Sequence, residues 1–419
     1  MFIQFHMLQS MPPGNLNRDE TGQPKKCVFG GVTRARVSSQ CLKRNIRLSR
    51  QFREAFGGAL ADRTTSLPRM VADELTKDQQ LGITTDEIPD VTAAIAAKFK
   101  KEKRAAEIDE TDDQNGQQEE TADQGAVEGG PGQTGQLVFF PPPFARRIAV
   151  LAGTLCKEHR RAFEGFIGRK LKPKLTAEEE TEVKRFVEEV AKASKELTVD
   201  IGLFGRMTTS DLVVNVEASC QVAHAISTHE TIIEGDYFTA MDDRADKAGA
   251  AYIGTDENVT YYNAAVYYKY LNLDLDALRQ HLGSLTDEDA AKVAGVLLNA
   301  AALSNPTGKQ NSFANHGIPQ LILVELSKVK RPISYANAFL QPVDGPGYLA
   351  QSAVALKTYV ESVATAFQPV DMKRFLLAKG DAAIEISAAT PSDTLADLTQ
   401  AVEGHIAPDA DLQKGQATP

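Results

Sequence analysis

Residues 15 to 50 read NLNRDETGQPKKCVFGGVTRARVSSQCLKRNIRLSR, and this basic segment decides the fold prediction. The first fifty residues hold nine Lys or Arg against two acids, a local charge of +7 in a chain whose net charge is −10. Positive charge concentrated in an acidic protein predicts a site for a polyanion. A basic strand follows the Gly30-Gly31 turn, and Ser38 and Ser39 then offer N-caps to a helix whose first N–H groups suit phosphate.

The helix that follows is predicted over residues 39–56. Spacings of four and three place Lys43, Arg47 and Arg50 on one face. An adjacent stripe is predicted to enter the core, formed by Leu42, Ile46, Ser49 and Phe56. A solvated basic helix face is the alternative interpretation of the same charges.

Elsewhere the chain alternates between strand and helix patterns. Strand chemistry marks Phe2 to Leu8, Thr260 to Tyr270 and Gln320 to Leu326. Helical periodicity is predicted for residues 71–104, 145–197, 219–227, 274–282 and 288–302. Residues 105–136 are rich in Asp, Glu, Gln and Gly, so we predict a disordered loop there.

The run LNRDE…FGG…RARVSSQCLKR resembles the amino-terminal signature of the CasC family, the backbone subunit of the type I-E CRISPR surveillance complex Cascade. Further resemblances follow in family order: LFGRMTTSDLVVNVEASCQVAHAISTHE (203–230), GDYFTAMDD (235–243) and NPTGKQNSFANH (305–316). Residues from about 60 to 195 match poorly. The resemblance implies a CRISPR RNA-binding subunit in antiviral defence.

The fold implied by the resemblance is α+β, with a modified RRM-like (ferredoxin-like) palm, a helical fingers insertion and a thumb hairpin. The palm is predicted at residues 1–59, 201–227 and 261–407, the fingers at 60–200, the thumb at 228–260 and a flexible tail at 408–419. The chain lacks the aromatic RNP signature of an ordinary RRM. We therefore expect cations to follow the RNA backbone rather than bases to stack on the sheet.

Family roles carried over by motif give the expected RNA-binding residues. Guide phosphates are assigned to Ser38, Gln40, Lys43 and Arg47, with Arg18 and Lys25 beside them and Arg34 and Arg36 flanking. Met207 is expected to pack against guide bases, and Phe238 to act as a thumb wedge at a displaced base. The alternative interpretation of Met207 and of Phe238 is that each packs in the hydrophobic core. Lys309 is expected to line the RNA groove, with a purely structural loop as the alternative.

Enzymatic interpretations are weaker, and we expect a non-catalytic protein without a cofactor or metal. Asp242 and Asp243 could imitate the target RNA-cleaving aspartate of related type III backbone subunits. A metal hydrolase centred on His224, His229 and Glu230 is disfavoured, because a spacing of five takes the two histidines off a common helical face. The PTGK run at 306–309 fails as a phosphate loop for want of the first glycine and the final Ser or Thr.

The expected partners are CRISPR RNA, target DNA, further copies of the chain arranged as a helical filament, and other Cascade subunits. A second cationic run, KEHRRAFEGFIGRKLKPK (157–174), is either a non-specific contact for duplex DNA or a solvated helix face. Neither a membrane-spanning apolar run nor a paired cysteine spacing is present. We expect a cytoplasmic protein with free thiols.

Overall fold

The computed structural model describes residues 1–99, 133–237, 240–241, 250–251, 259–283, 285–368 and 371–407. The chain divides into two compact units. The first comprises Met1–Ala55 and Cys220–Pro419, and the second comprises Phe56–Ser219. In the described ranges, none of the helices is long and apolar enough to cross a membrane.

The secondary structure combines both element types, and the α+β class is confirmed. The strands are β1 Phe2–Gly14, β2 Lys26–Phe29, β3 Val32–Val37, β4 Asp62–Thr64, β5 Val138–Phe140, β6 Cys220–Val222, β7 Ala225–Ser227, β8 Glu234–Asp236, β9 Ala240–Met241, β10 Ala250–Ala251, β11 Thr260–Asp274, β12 Pro319–Ser327, β13 Lys373–Ala378 and β14 Ala389–Pro391. The helices are α1 Ser39–Leu48, α2 Arg50–Phe56, α3 Leu67–Lys77, α4 Ile88–Ala97, α5 Phe144–Glu158, α6 Arg160–Phe166, α7 Ala177–Ala193, α8 Val199–Phe204, α9 Leu275–Leu282, α10 Asp287–Leu303, α11 Gln310–Phe313, α12 Tyr348–Phe367 and α13 Leu395–Ile406.

One large sheet organises the first unit, in the order β14-β13-β12-β1-β11-β7-β3-β2. Both β6 and β8 also pair with β11. Strand β1 lies antiparallel to β11 and to β12. In this sheet β11 lies between β1 and β7, and β1 lies between β11 and β12. The connection that contains α1 leads from β1 to β7, and the connection that contains α10 leads from β11 to β12. Each pair of strands with its helix is therefore a split βαβ unit. This is the ferredoxin-like strand order.

Both faces of the sheet are covered, which is why β1 is buried along most of its length. On one face, Leu8, Tyr268 and Leu323 join a cluster with Tyr335 and with Leu356 of α12. Tyr268 and Tyr270, two aromatic residues of this face, are buried. The covered face is therefore not a stacking platform for bases.

Four sequence-based predictions of helices need correction. The predicted helical stretch 145–197 is interrupted at His159 and again at residues 167–176, which separate α5, α6 and α7. Residues 219–227 form β6 and β7, because Cys220 and Val222 alternate with exposed Gln221 and pair with β11. The predicted helix over 39–56 breaks at Ser49, whose backbone is extended. The predicted helix 71–104 ends at Lys77 and restarts at Ile88, with Gly82 in a left-handed conformation between them.

The second unit is mainly helical and has its own core, to which α3, α4, α5, α6 and α7 contribute. The helical fingers insertion is predicted over residues 60–200, and the second unit spans Phe56–Ser219. Of the acidic loop predicted over 105–136, residues 105–132 lie outside the described residues. Its end is ordered: Thr134 and Gln136 are buried, and the Thr134 hydroxyl donates to the Thr65 carbonyl at 3.1 Å. The predicted disorder is wrong for these last residues.

Candidate nucleic-acid interface

The loop Asn15–Lys25 is a tight turn that holds Arg18 in solvent. The Asp19 carboxylate accepts hydrogen bonds from the Thr21 hydroxyl at 2.7 Å and from the Thr21 and Gln23 N–H groups. The Thr21 hydroxyl is the main cause that lowers the pKa of Asp19, against the opposing effect of burial. Arg18 bridges to Pro24 through its backbone, and its side chain is exposed. The turn is thus fixed by an ionised carboxylate while the guanidinium stays accessible.

The same loop is tethered to the start of α1. The Asn17 side-chain oxygen accepts from the Ser38 N–H at 2.9 Å, and Lys25 N–H donates to the Asn17 carbonyl at 2.8 Å. Ser38 is the N-cap of α1, with its hydroxyl oxygen accepting from the Cys41 N–H at 3.3 Å. Ser38 is nearly buried, so its main role in the structure is to cap the helix.

Helix α1 presents the predicted basic face beside this turn. Leu42 and Ile46 are buried, confirming them as the core stripe, whereas Lys43, Arg47 and Gln40 are half-exposed. Burial raises the pKa of the Cys41 thiol, and Arg44 and Lys25 partly offset that rise.

Arg50 departs from the predicted face. The helix breaks before it, and its guanidinium forms an ion pair with Glu54 at 2.6 Å in α2. The core residue of α2 is Phe52, which is fully buried, and not Phe56. The break at Ser49 changes which side chains face inward.

The sequence-based prediction that Arg34 contacts RNA needs correction. Its side chain is fully buried, and the guanidinium donates to the carbonyls of Phe29, Ser227 and Phe339 at 3.2, 2.9 and 2.8 Å. Burial lowers its pKa. Arg34 thus holds β3 against its neighbours and cannot meet a ligand. Arg36, next along the strand, is half-exposed and lies 3.0 Å from His224.

The segment Asn305–His316 packs directly on the Asn15 loop. A Cβ on Gly308 would lie 2.5 Å from the Asn15 carbonyl oxygen, so only glycine allows this approach. The Asn15 side chain, itself buried, donates to the Gly22 and Tyr261 carbonyls at 3.0 and 2.8 Å. The structure therefore joins two segments that lie some 290 residues apart in sequence.

Lys309 is exposed at the start of α11, with a left-handed φ of 52°. Gln310 braces this turn by donating to the carbonyls of Pro306 and Asn315 at 2.9 and 2.8 Å. The Asn315 amide in turn donates to the Pro12 carbonyl at 2.5 Å. Sequence reasoning missed Asn15, Asn17, Gln310 and Asn315 as positioning residues, because lone amides in loops carry no periodic signal.

The remaining predicted residues lie elsewhere. Met207 belongs to the second unit and is 69% exposed, which rules out its alternative as a core residue. Phe238, Asp242 and Asp243 lie outside the described residues. Strands β9 and β10, on either side of the two aspartates, pair antiparallel.

Within the described ranges, no cluster of His, Cys, Asp and Glu could hold a metal ion. His229 is buried, stacked on Tyr348 with ring centroids 4.0 Å apart, and its Nε2 accepts from the Val266 N–H at 3.2 Å. Burial is the main cause that lowers its pKa. Cys27, Cys41, Cys156 and Cys220 are free cysteines in the structure, and Cys156 and Cys220 are buried.

The arginines of the cationic run 157–174 are paired with carboxylates within their own unit. Arg160 forms ion pairs with Glu87 and Glu164, and Arg161 pairs with Glu179 at 2.7 Å. Lys170, Lys172 and Lys174 remain exposed. The arginines of this run thus fit the alternative of a solvated, ion-paired helix surface.

Comparison with known proteins adds a whole-chain likeness to this geometry. No curated protein matches the chain. A chain of the solved structure described as "CRISPR RNA-guided surveillance complex, pre-nicking" is 26% identical, with a TM-score of 0.72 over 97% of this chain and 100% of that chain. A chain of a "CRISPR RNA-guided surveillance complex" shares the fold, with 23% identity and a TM-score of 0.62 over 96% and 99% of the two chains. The model of the CT1975-like protein family matches residues 3–402, and the chain belongs to that family.

Proposed function

We propose that this chain is a non-catalytic subunit that binds CRISPR RNA and presents it for base pairing with target DNA in antiviral defence. Several copies line up along one guide RNA with the other subunits of a type I-E Cascade complex. The observation that carries the proposal is the likeness, along nearly the full length of both chains, to a component of an RNA-guided surveillance complex.

The charge distribution supports RNA binding by the first unit. Among the described residues, Arg18, Lys25 and Lys43 form no ion pair, whereas the arginines of the run 157–174 are paired with carboxylates. Cations without internal partners are available to phosphates. Half-exposed Arg47 and exposed Lys309 add to the same positive surface of loops and α1.

This arrangement suits recognition without sequence preference. Lysine and arginine contacts to phosphates give affinity and fix register but carry no base information. A guide-binding subunit must accept every spacer, and sequence is then read by pairing between guide and target. The covered sheet face, where Tyr268 and Tyr270 are buried, agrees with backbone recognition.

Native mass spectrometry of the full chain with single-stranded RNAs of several lengths tests the proposal. We expect bound copy number to rise stepwise with RNA length, and the RNA mass to stay unchanged after incubation with Mg²⁺. A fixed stoichiometry would contradict the filament. Shortened RNA would instead support the target RNA-cleaving alternative.

A further inference from the structure

We propose that Tyr262 and Phe313 form a stacking platform for one base of the bound RNA, an inference that rests on the proposed function. Tyr262 lies near the start of β11, and Phe313 ends α11. Their ring centroids are 5.4 Å apart, with planes inclined by 42°. Both rings are half-exposed, unlike the buried aromatic residues of the sheet face.

The two rings stand on the junction that carries the predicted cations. Asn15 fixes the backbone beside Tyr262 by donating to the Tyr261 carbonyl at 2.8 Å. Lys309 precedes the four-residue helix that ends in Phe313. A nucleotide held by Lys309 therefore has an aromatic surface within one turn of helix.

Side-chain hydrogen bonds within the protein hold the loop that carries Phe313. Helix α11 is flanked by left-handed residues, Lys309 at φ 52° and Ala314 at φ 48°, and Gln310 holds both ends of this turn. Asn315 anchors the segment to the Pro12 carbonyl. Because the loop is already ordered, little conformational entropy is lost when a base stacks on Phe313.

The charges around Tyr262 favour a base over a phosphate. The Tyr262 hydroxyl donates to the Glu234 carboxylate at 3.4 Å, and Asp236 pairs with Thr260 on the same two strands. Both acids are exposed. Two carboxylates repel a phosphate, whereas a neutral base presents a π-face that stacks on aromatic rings.

Titration of this chain with single-stranded RNAs that carry 2-aminopurine at successive positions tests this inference. For the unmodified chain we expect fluorescence quenching at particular positions. Phe313→Leu and Tyr262→Leu should each relieve the quenching and weaken binding roughly tenfold without changing its salt dependence. Phe313→Tyr and Tyr262→Phe should keep the quenching and the RNA affinity of the unmodified chain, since each keeps an aromatic ring.

The matched control is Phe367→Leu, which removes an aromatic side chain that is 68% exposed at the end of α12. Thermal unfolding of each variant reports whether the fold is kept. If folded Phe313→Leu binds and quenches like the unmodified chain, the platform is rejected while RNA binding stands. If the unmodified chain binds no RNA at any salt concentration, the platform and the proposed function both fail.

Discussion

The side-chain oxygen of Asn17 accepts a 2.9 Å hydrogen bond from the backbone N–H of Ser38, the residue that caps α1. This bond joins the loop that displays Arg18 to the helix that displays Lys43. Two groups of cations that are separate in sequence thereby keep a fixed spacing. A ligand with regularly spaced charges, such as a nucleic-acid backbone, needs that constancy.

Replacing Asn17 by Ala should lower the stability by about 1 kcal/mol, because one partly buried hydrogen bond is lost. It should also weaken RNA binding, since the Arg18 loop loses its tether. Urea unfolding and titration with single-stranded RNA measure the two effects. Asn299→Ala is the control: it removes a bond between α10 and Thr399 and should change stability alone. Equal RNA affinity for both variants would contradict the tether.

Replacing Lys43 and Arg47 together by Ala should weaken binding of all RNA sequences alike. Each phosphate contact removed should reduce the slope of log K against log salt concentration by about 0.7. Binding titrations at several salt concentrations measure that slope. Arg50→Ala removes a cation already paired with Glu54, so it should leave the slope unchanged. A loss that depends on RNA sequence would argue against phosphate binding.

Replacing Arg34 by Met should destabilise the fold by about 3 kcal/mol, because buried carbonyl groups lose their donors. For protein that remains folded, the salt dependence of RNA binding should be unchanged, since Arg34 is buried among the carbonyls of Phe29, Ser227 and Phe339. Denaturant unfolding and RNA titration check the two statements. A smaller salt dependence of RNA binding in folded Arg34→Met would indicate that Arg34 does contact RNA.

Replacing Gly308 by Ala should displace the Lys309 loop, because the new methyl group would lie 2.5 Å from the Asn15 carbonyl oxygen. We expect lower stability and weaker RNA binding. Thermal unfolding measures the first effect, and titration with RNA measures the second. Gly404 in α13 has open space around it, so Gly404→Ala should instead stabilise by about 0.5–1 kcal/mol. Tolerance of alanine at 308 would show that the two loops need not touch.

Lys269 predicts a dependence of stability on pH. Burial lowers the pKa of this lysine to about 7, and its ammonium group donates only to the Ala301 carbonyl among the described residues. The unfolded chain binds more protons at this residue between pH 7 and about 10.5, so its contribution to stability rises with pH in that window. In Lys269→Met this part of the rise should disappear. Exposed Lys292→Met should keep it, and urea unfolding at pH 7 and pH 9 compares the two.

Much of the local structure follows from sequence alone. Ser38 caps α1 and Leu42 and Ile46 fill its core side, because capping and helical periodicity depend on residues close together in the chain. The strand patterns of Phe2 to Leu8 and Gln320 to Leu326 are sufficient to predict β1 and β12. The cations of the basic segment could be found by charge, but charge did not show which of them face solvent.

Tertiary structure decided the rest. Arg34 and Arg36 are equivalent in the sequence pattern, yet they differ in the structure. Arg34 is buried and donates hydrogen bonds to the carbonyls of Ser227 and Phe339, whereas Arg36 is half-exposed. Residues 219–227 became strands because β11 offered unpaired backbone groups to them. The Asn15 loop and Gly308 meet only in the folded chain. Burial, pairing and close approach depend on residues distant in sequence, and only the folded chain brings those residues together.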